Sequence, residues 1–172
     1  MDERKGVVTM KGEAVTLVGK EVKVGDKAPR FKALNSDLSE FDSAKECKGR
    51  VCVIAPVPSL DTSVCNVEAR HFDQEAGQLQ GRGDIIIVSM DLPFAIKRWR
   101  EWAGVNTIKT LSDHRDAQVG KKFGVLMKEL RLLARSVFVV DKNGVVRYRE
   151  LVPEQGHEPA YDRAFEVAKG LL

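Results

Sequence analysis

Three side chains dominate the chemistry available to this chain: Cys47, Cys52 and Cys65, the only cysteines in 172 residues. Three thiols are too few for a four-thiolate zinc site and the wrong parity for a disulfide-stapled scaffold. The count therefore directs attention to single reactive thiols. Cys65 is placed where one would work. Its surroundings predict the first turn of a long helix after an apolar strand, with Asp61 and Thr62 available as caps. Unpaired N–H groups and the positive end of the helix dipole favour thiolate there, and the thiolate is the nucleophile. Asp61 acts in the opposite electrostatic sense, so activation requires a cation or hydrogen bonds from elsewhere. On placement alone a buried structural thiol remains equally open. Cys52, inside the run VCVIAPV, reads as a small core residue, and Cys47, in the polar segment ECKG, reads as exposed. Cys47, Cys52 and His71 match no zinc-ligand spacing, so no metal is expected.

The elements that must position Cys65 follow from periodicity. Val7 to Met10 and Ala14 to Val18 predict a hairpin turning at Lys11-Gly12-Glu13, and Phe31 to Leu34 a short strand. Val51 to Val57 and Asp84 to Met90 are continuous apolar runs, suited to strands buried on both faces. Between them, Val64, Val67, Phe72, Ala76 and Leu79 recur near helical spacing from Ser63 to about Gln80, with Glu68, Arg70 and Asp73 interspersed. Pro93 opens a helix to about Ala103, with Gly104 just beyond its end. Ile108 to Leu111 predicts a third strand and Asp116 to Phe123 a short helix. Ser136 to Val140 and Val145 to Leu151 flank Asp141-Lys142-Asn143-Gly144, where Asn-Gly offers the positive φ angles of a tight hairpin turn. Glu158 to Leu171 closes the chain as an amphipathic helix with Tyr161, Phe165 and Ala168 on one face. The order predicts one α/β domain over residues 1–172, thioredoxin-like, with a mixed central sheet, flanking helices and an N-terminal β-hairpin extension over 1–20.

Composition narrows the function classes. Lys and Arg number 28 against 25 Asp and Glu, a net charge of +3, which argues against a nucleic-acid binder. The start MDERKGVV lacks an apolar signal-peptide core, and no run approaches the ~18 residues needed to cross a bilayer, so a cytoplasmic protein without membrane contact is expected. No glycine-rich phosphate loop or dinucleotide fingerprint occurs, so no cofactor is expected. His71, His114 and His157 read as ordinary polar residues. Lys97, Arg98 and Arg100, with Trp99 and Trp102, read as the solvated face of a helix.

The string around Cys65 adds a resemblance. PSLDTSVC, Pro58 to Cys65, fits the pattern P-x-x-x-T-x-x-C. SMDLPFA (Ser89 to Ala95) and LLARSVFVVD (Leu132 to Asp141) follow in order, and LV-x-E…EP-x-Y closes the chain. Together these resemble the thiol peroxidase subfamily of the peroxiredoxins over nearly the whole chain. The resemblance implies that Cys65 attacks the terminal oxygen of hydrogen peroxide or an organic hydroperoxide and becomes a sulfenic acid. It implies that Thr62 hydrogen-bonds thiolate and peroxide, that Pro58 shapes and shields the loop, and that Arg135 supplies the activating cation. It also implies a homodimer.

The sequence departs from that pattern in one respect. Relatives resolve the sulfenic acid with a second cysteine in the helix after DLPFA, whereas here the helix reads AIKRWREWAG, with Arg100 in that place and no cysteine after Cys65. A one-cysteine peroxidase follows as the expectation, its sulfenic acid reduced by an external thiol such as thioredoxin or a low-molecular-weight thiol. Cys47 stays as the candidate resolving thiol, provided its Cα comes within about 7 Å of that of Cys65. The alternative is a peroxide-sensing thioredoxin-like module that passes oxidation to a partner.

Overall fold

The computed structural model describes residues 1–172. Strand β5 (Val51–Pro56) is apolar throughout and every residue of it is buried, so it must lie inside a sheet covered on both faces. It pairs in parallel with β6 (Gly83–Ser89), which pairs in parallel with β7 (Lys109–Ser112). On the other side β10 (Ser136–Val140) runs antiparallel to β5, and β11 (Val146–Leu151) forms the edge. Strands β3 (Lys32–Leu34) and β4 (Glu40–Asp42) complete a mixed sheet of order β11-β10-β5-β6-β7-β3-β4.

Side chains alternate across this sheet and so divide the core in two. Val51, Val53 and Ala55 of β5, with Ile85 and Ile87 of β6, pack against the helices α2 (Ser63–Glu75), α3 (Pro93–Ala103) and α5 (Tyr161–Gly170). Cys52 and Ile54, with Ile86 and Val88, point the other way. That face is covered by α4 (Gln118–Lys122) and a second sheet of order β1-β2-β8-β9. The second sheet pairs the hairpin β1 (Glu3–Met10) and β2 (Glu13–Val18) with the short β8 (Leu126–Met127) and β9 (Leu132–Leu133). A four-residue helix, α1 (Ser43–Glu46), precedes β5. No helix is long and apolar enough to cross a membrane.

The mixed sheet, flanking helices and N-terminal hairpin agree with expectation. The differences have local causes. Strand β4, helix α1 and the two-residue β8 and β9 are too short to show a period. The helix expected from Glu158 begins only at Tyr161, after Pro159. In the β10–β11 hairpin only Gly144 adopts positive φ (77°), so Asn143 does not share the left-handed conformation foreseen for it. Asp141 Oδ1 instead accepts the N–H groups of Asn143 and Val145, each at 2.9 Å, and the extra residue is absorbed as a register shift between Val139 and Val140.

Candidate active site

Parallel strands deliver their loops to one edge of the sheet, and in open α/β sheets that edge is where sites form. The loop after β5 carries buried Pro58 and reaches α2 at its N-cap, Thr62. The carboxylate of Asp91, in the loop after β6, holds it. Oδ1 accepts from Ser59 Oγ (2.6 Å), while Oδ2 accepts from the Leu60 N–H and from Ser89 Oγ, both at 2.8 Å. Ser112 Oγ, at the end of β7, donates to the Asp91 carbonyl at 2.5 Å. Thr62 Oγ1 accepts the Cys65 N–H at 3.4 Å and donates to the Ser59 carbonyl at 2.9 Å. One hydroxyl thereby caps the helix and fixes the loop to it.

Cys65 is fully buried in that first turn. The residue just before β10, Arg135, reaches it from the neighbouring strand: Nη2 donates to Cys65 Sγ at 3.2 Å and Nη1 to Glu68 Oε2 at 2.6 Å. Cys65 and Glu68 are three residues apart, so they share one face of α2 and meet a single guanidinium. Gln155 completes the enclosure. Its carbonyl accepts from Arg135 Nε (3.1 Å) and Nη2 (2.9 Å), and its side-chain oxygen takes the Arg135 backbone N–H. Arg135 and Gln155 are each only 2% exposed and Glu68 not at all.

Burying so many polar groups has electrostatic consequences. Desolvation pushes the Glu68 carboxyl up to about 8, against the opposing pull of Arg135. For Arg135, burial favours the neutral form, but the sulfur and the Glu68 carboxylate outweigh it and hold the guanidinium above its ordinary value. Glu68 Oε1 has no hydrogen-bond partner. Beside this cluster lies a cavity of about 780 Å³ whose lining includes Thr62, Asn66, Phe94, Trp99 and Trp102. Trp99 Nε1 donates to Asn66 Oδ1 at 3.0 Å, joining α3 to the residue that follows the thiol.

A thiol held by a buried cation at a capped helix N-terminus can be compared with known proteins. The redoxin family profile matches residues 23–165. A thiol peroxidase of Halalkalibacterium halodurans is 51% identical over 165 residues, covering 96% of this chain and 98% of that protein. The thiol peroxidase of Bacillus subtilis is 50% identical with the same coverage. The crystal structure of a peroxiredoxin-like protein from Aquifex aeolicus superposes with a TM-score of 0.90 at 42% identity, over 97% of this chain and 98% of that one. The chain belongs to the redoxin family, in its thiol peroxidase branch.

Seen as a thiol peroxidase relative, the chain brings together Cys65, Thr62 and Arg135 and buries Pro58 in the adjoining loop. The Thr62 hydroxyl proton, however, is directed to the Ser59 carbonyl rather than to sulfur. Three participants were not foreseen. Glu68 had been placed among the polar residues between apolar ones, yet it faces inward, while Val67, expected on the apolar face, is half exposed. A carboxylate three residues after the candidate nucleophile is a spacing signal that could have found it. Asp91 was visible only as part of DLPFA, and Gln155 carries no sequence signal.

Cys52 is core, as foreseen; Cys47 is half-buried rather than exposed, and it packs with Cys52 on the sheet face opposite Cys65. Arg100 is not on a solvated face: Nη1 donates to the Ile108 carbonyl (2.8 Å) and to Thr110 Oγ1 (3.0 Å). Trp99 is buried as well, whereas Lys97, Arg98 and Trp102 are exposed.

Proposed function

We propose that this chain reduces hydrogen peroxide and organic hydroperoxides at Cys65 and works as a one-cysteine enzyme. The observation that carries this reading is the 3.2 Å contact between Arg135 and Cys65 Sγ inside a buried cluster. The Cys65 thiolate attacks the terminal peroxide oxygen, forming an S–O bond as the O–O bond breaks. The departing hydroxide or alkoxide is met by Arg135 and leaves as water or alcohol. The resulting sulfenic acid condenses with an external thiol, releasing water, and a second thiol frees Cys65 as the external disulfide forms. Arg135, Thr62 and Pro58 keep the roles the resemblance implies, with Glu68 and Gln155 positioning the guanidinium.

The one-cysteine assignment is supported by the sheet that separates Cys65 from Cys47 and Cys52, and by Arg100 in the place of a resolving thiol. Thioredoxin or a low-molecular-weight thiol serves as reductant in the cytoplasm, where thiols are kept reduced. The reading includes a homodimer, with Leu92, Phe94 and Trp102, exposed beside the cavity, supplying apolar area for a second copy.

Mass spectrometry after one equivalent of peroxide, with external thiol withheld, tests the mechanism. A sulfenic or over-oxidised Cys65 is expected; a Cys47–Cys65 or Cys52–Cys65 crosslink overturns the one-cysteine assignment. Steady-state peroxide consumption with thiol supplied separates the enzyme from a sensor, which would show one burst of oxidation and no turnover.

A further inference from the structure

On the face of the sheet away from Cys65, a second cavity of about 690 Å³ is lined by both remaining cysteines. Cys47 closes the C-terminus of α1, and Cys52 is the second residue of β5; a turn between them brings the Arg50 N–H to the Cys47 carbonyl at 3.2 Å. Cys52 is fully buried and Cys47 half-buried, packed against the same apolar cluster. The two thiols line the same cavity and each acts on the other's proton: Cys52 pulls Cys47 below its ordinary value, and Cys47 together with burial pushes Cys52 far above its own. One thiol is thereby the readier nucleophile and the other a protonated reserve behind it. Burial, Asp84 and Glu46 oppose the effect on Cys47, and Lys109 reinforces it.

The lining of this cavity is one-sided in charge. Lys27, Arg30, Lys48 and Lys142 contribute to it, and no Asp or Glu does. Some of these cations have partners: Lys27 Nζ donates to the Asn143 carbonyl and Lys142 Nζ to the Leu172 carbonyl. None of the four cations forms an ion pair with an Asp or Glu side chain, so no acidic side chain cancels the positive charge of the rim.

We propose that Cys47 and Cys52 form a second redox site, which undergoes thiol–disulfide exchange with an anionic, carboxylate-bearing low-molecular-weight disulfide held by the basic rim. The Cys47 thiol gives its proton to solvent and its sulfur attacks one sulfur of the small disulfide. A mixed disulfide forms and the first small thiolate leaves. Cys52 then attacks the Cys47 sulfur, its proton passing to the second departing thiolate. The protein pair ends as a Cys47–Cys52 disulfide, two electrons having passed to the small disulfide, now two thiols. This site does not depend on the reading of Cys65, which lies across the sheet.

The test uses the full-length Cys65→Ser protein, with Cys65→Ala as the second variant should the serine form not fold. Oxidised glutathione is the anionic probe and hydroxyethyl disulfide the neutral one. Trypsin cuts after Lys45, Lys48, Arg50 and Arg70, so the crosslink joins Glu46–Lys48 to Val51–Arg70, and replacing Cys65 leaves Cys52 as the only thiol in the larger peptide. The expected result is that crosslinked pair, formed about tenfold faster with the anionic probe at low salt. That preference falls when Lys48 and Lys142 are both changed to Ala. Two free thiols after exposure to the probes, or a glutathione adduct persisting on Cys47, overturns the redox pair. Equal rates with the two probes overturn the anionic ligand class.

Discussion

Cys65 and Cys52 are equally inaccessible, each with no exposed surface, yet they sit on opposite faces of one sheet in unlike settings. Cys65 stands at a capped helix N-terminus with a guanidinium 3.2 Å from its sulfur. Cys52 lies mid-strand in an apolar cluster, where burial and a neighbouring thiol hold its proton in place. Burial alone therefore does not decide what a thiol does. What differs is whether donors for a developing negative charge are built into the burial. Around Cys65 the donor is Arg135, just before β10, and acceptors from two other segments, Glu68 of α2 and the Gln155 carbonyl, hold its guanidinium in place.

The sharpest way to break the contrast is to remove one sulfur. Cys65→Ser is expected to reduce steady-state peroxide consumption to background, although Cys47 and Cys52 are untouched. Turnover surviving that change, measured with excess thiol, would sink the assignment of the reaction to the α2 face.

The next largest effect tests the cation. Arg135→Met removes the donor to sulfur and is expected to lower the peroxidase rate by about 10²–10³, the usual loss for one such donor. It also deprives Glu68 of its partner, and at pH 9, where that carboxyl is ionised, breaking one side of a buried pair costs on the order of 3–5 kcal/mol. Adding Glu68→Gln should recover much of that stability in urea titrations and none of the rate. A double variant that regains activity would mean that Arg135 acts through folding and not at the sulfur.

How much of this site could be read in the sequence depends on what carried each signal. Strands β5 and β6 were plain because both faces are buried and the apolar runs are continuous. Cys65, Thr62 and Arg135 were found because they sit in short, recognisable strings. The facing of α2 was misjudged because hydrophobic periodicity assumes that inward positions are apolar. Here the inward positions include Cys65 and Glu68, so the chemistry itself corrupts the pattern. Gln155 was invisible for another reason: it is brought to Arg135 by the return of the chain after β11, a long-range contact with no local signature.

A pH series sharpens the comparison further. Glu68 has an ordinary value of 4.5 and is raised to about 8 in the folded protein, so between those values the native state holds a proton the unfolded chain has released. Its contribution is fully present below pH 4.5 and is lost as pH rises towards 8, with a slope of at most about 1.4 kcal/mol per pH unit. Urea titrations from pH 5 to pH 9 should show this decline in the wild type and its loss in Glu68→Gln. An unchanged slope in the variant would show that the α2 face carries no such buried titration.

The smallest effect concerns Arg100, which the resemblance sets in the place of a resolving thiol and which does not enter the Cys65 cluster. Its guanidinium joins α3 to the segment entering β7 through the Ile108 carbonyl and Thr110 Oγ1. Charge-assisted bonds of this kind contribute about 1.5–3 kcal/mol. Arg100→Ala is therefore expected to lower Tm by several degrees, at about 2–4 °C per kcal/mol for a chain of this size. The peroxidase kcat/KM at 25 °C should stay close to that of the wild type, since neither bond touches the residues that hold the sulfur. A large loss of kcat/KM with unchanged Tm would instead place Arg100 in the reaction. In the geometry described here it braces the helix that lines the cavity, and the thermal melt, not the rate, is where its removal registers.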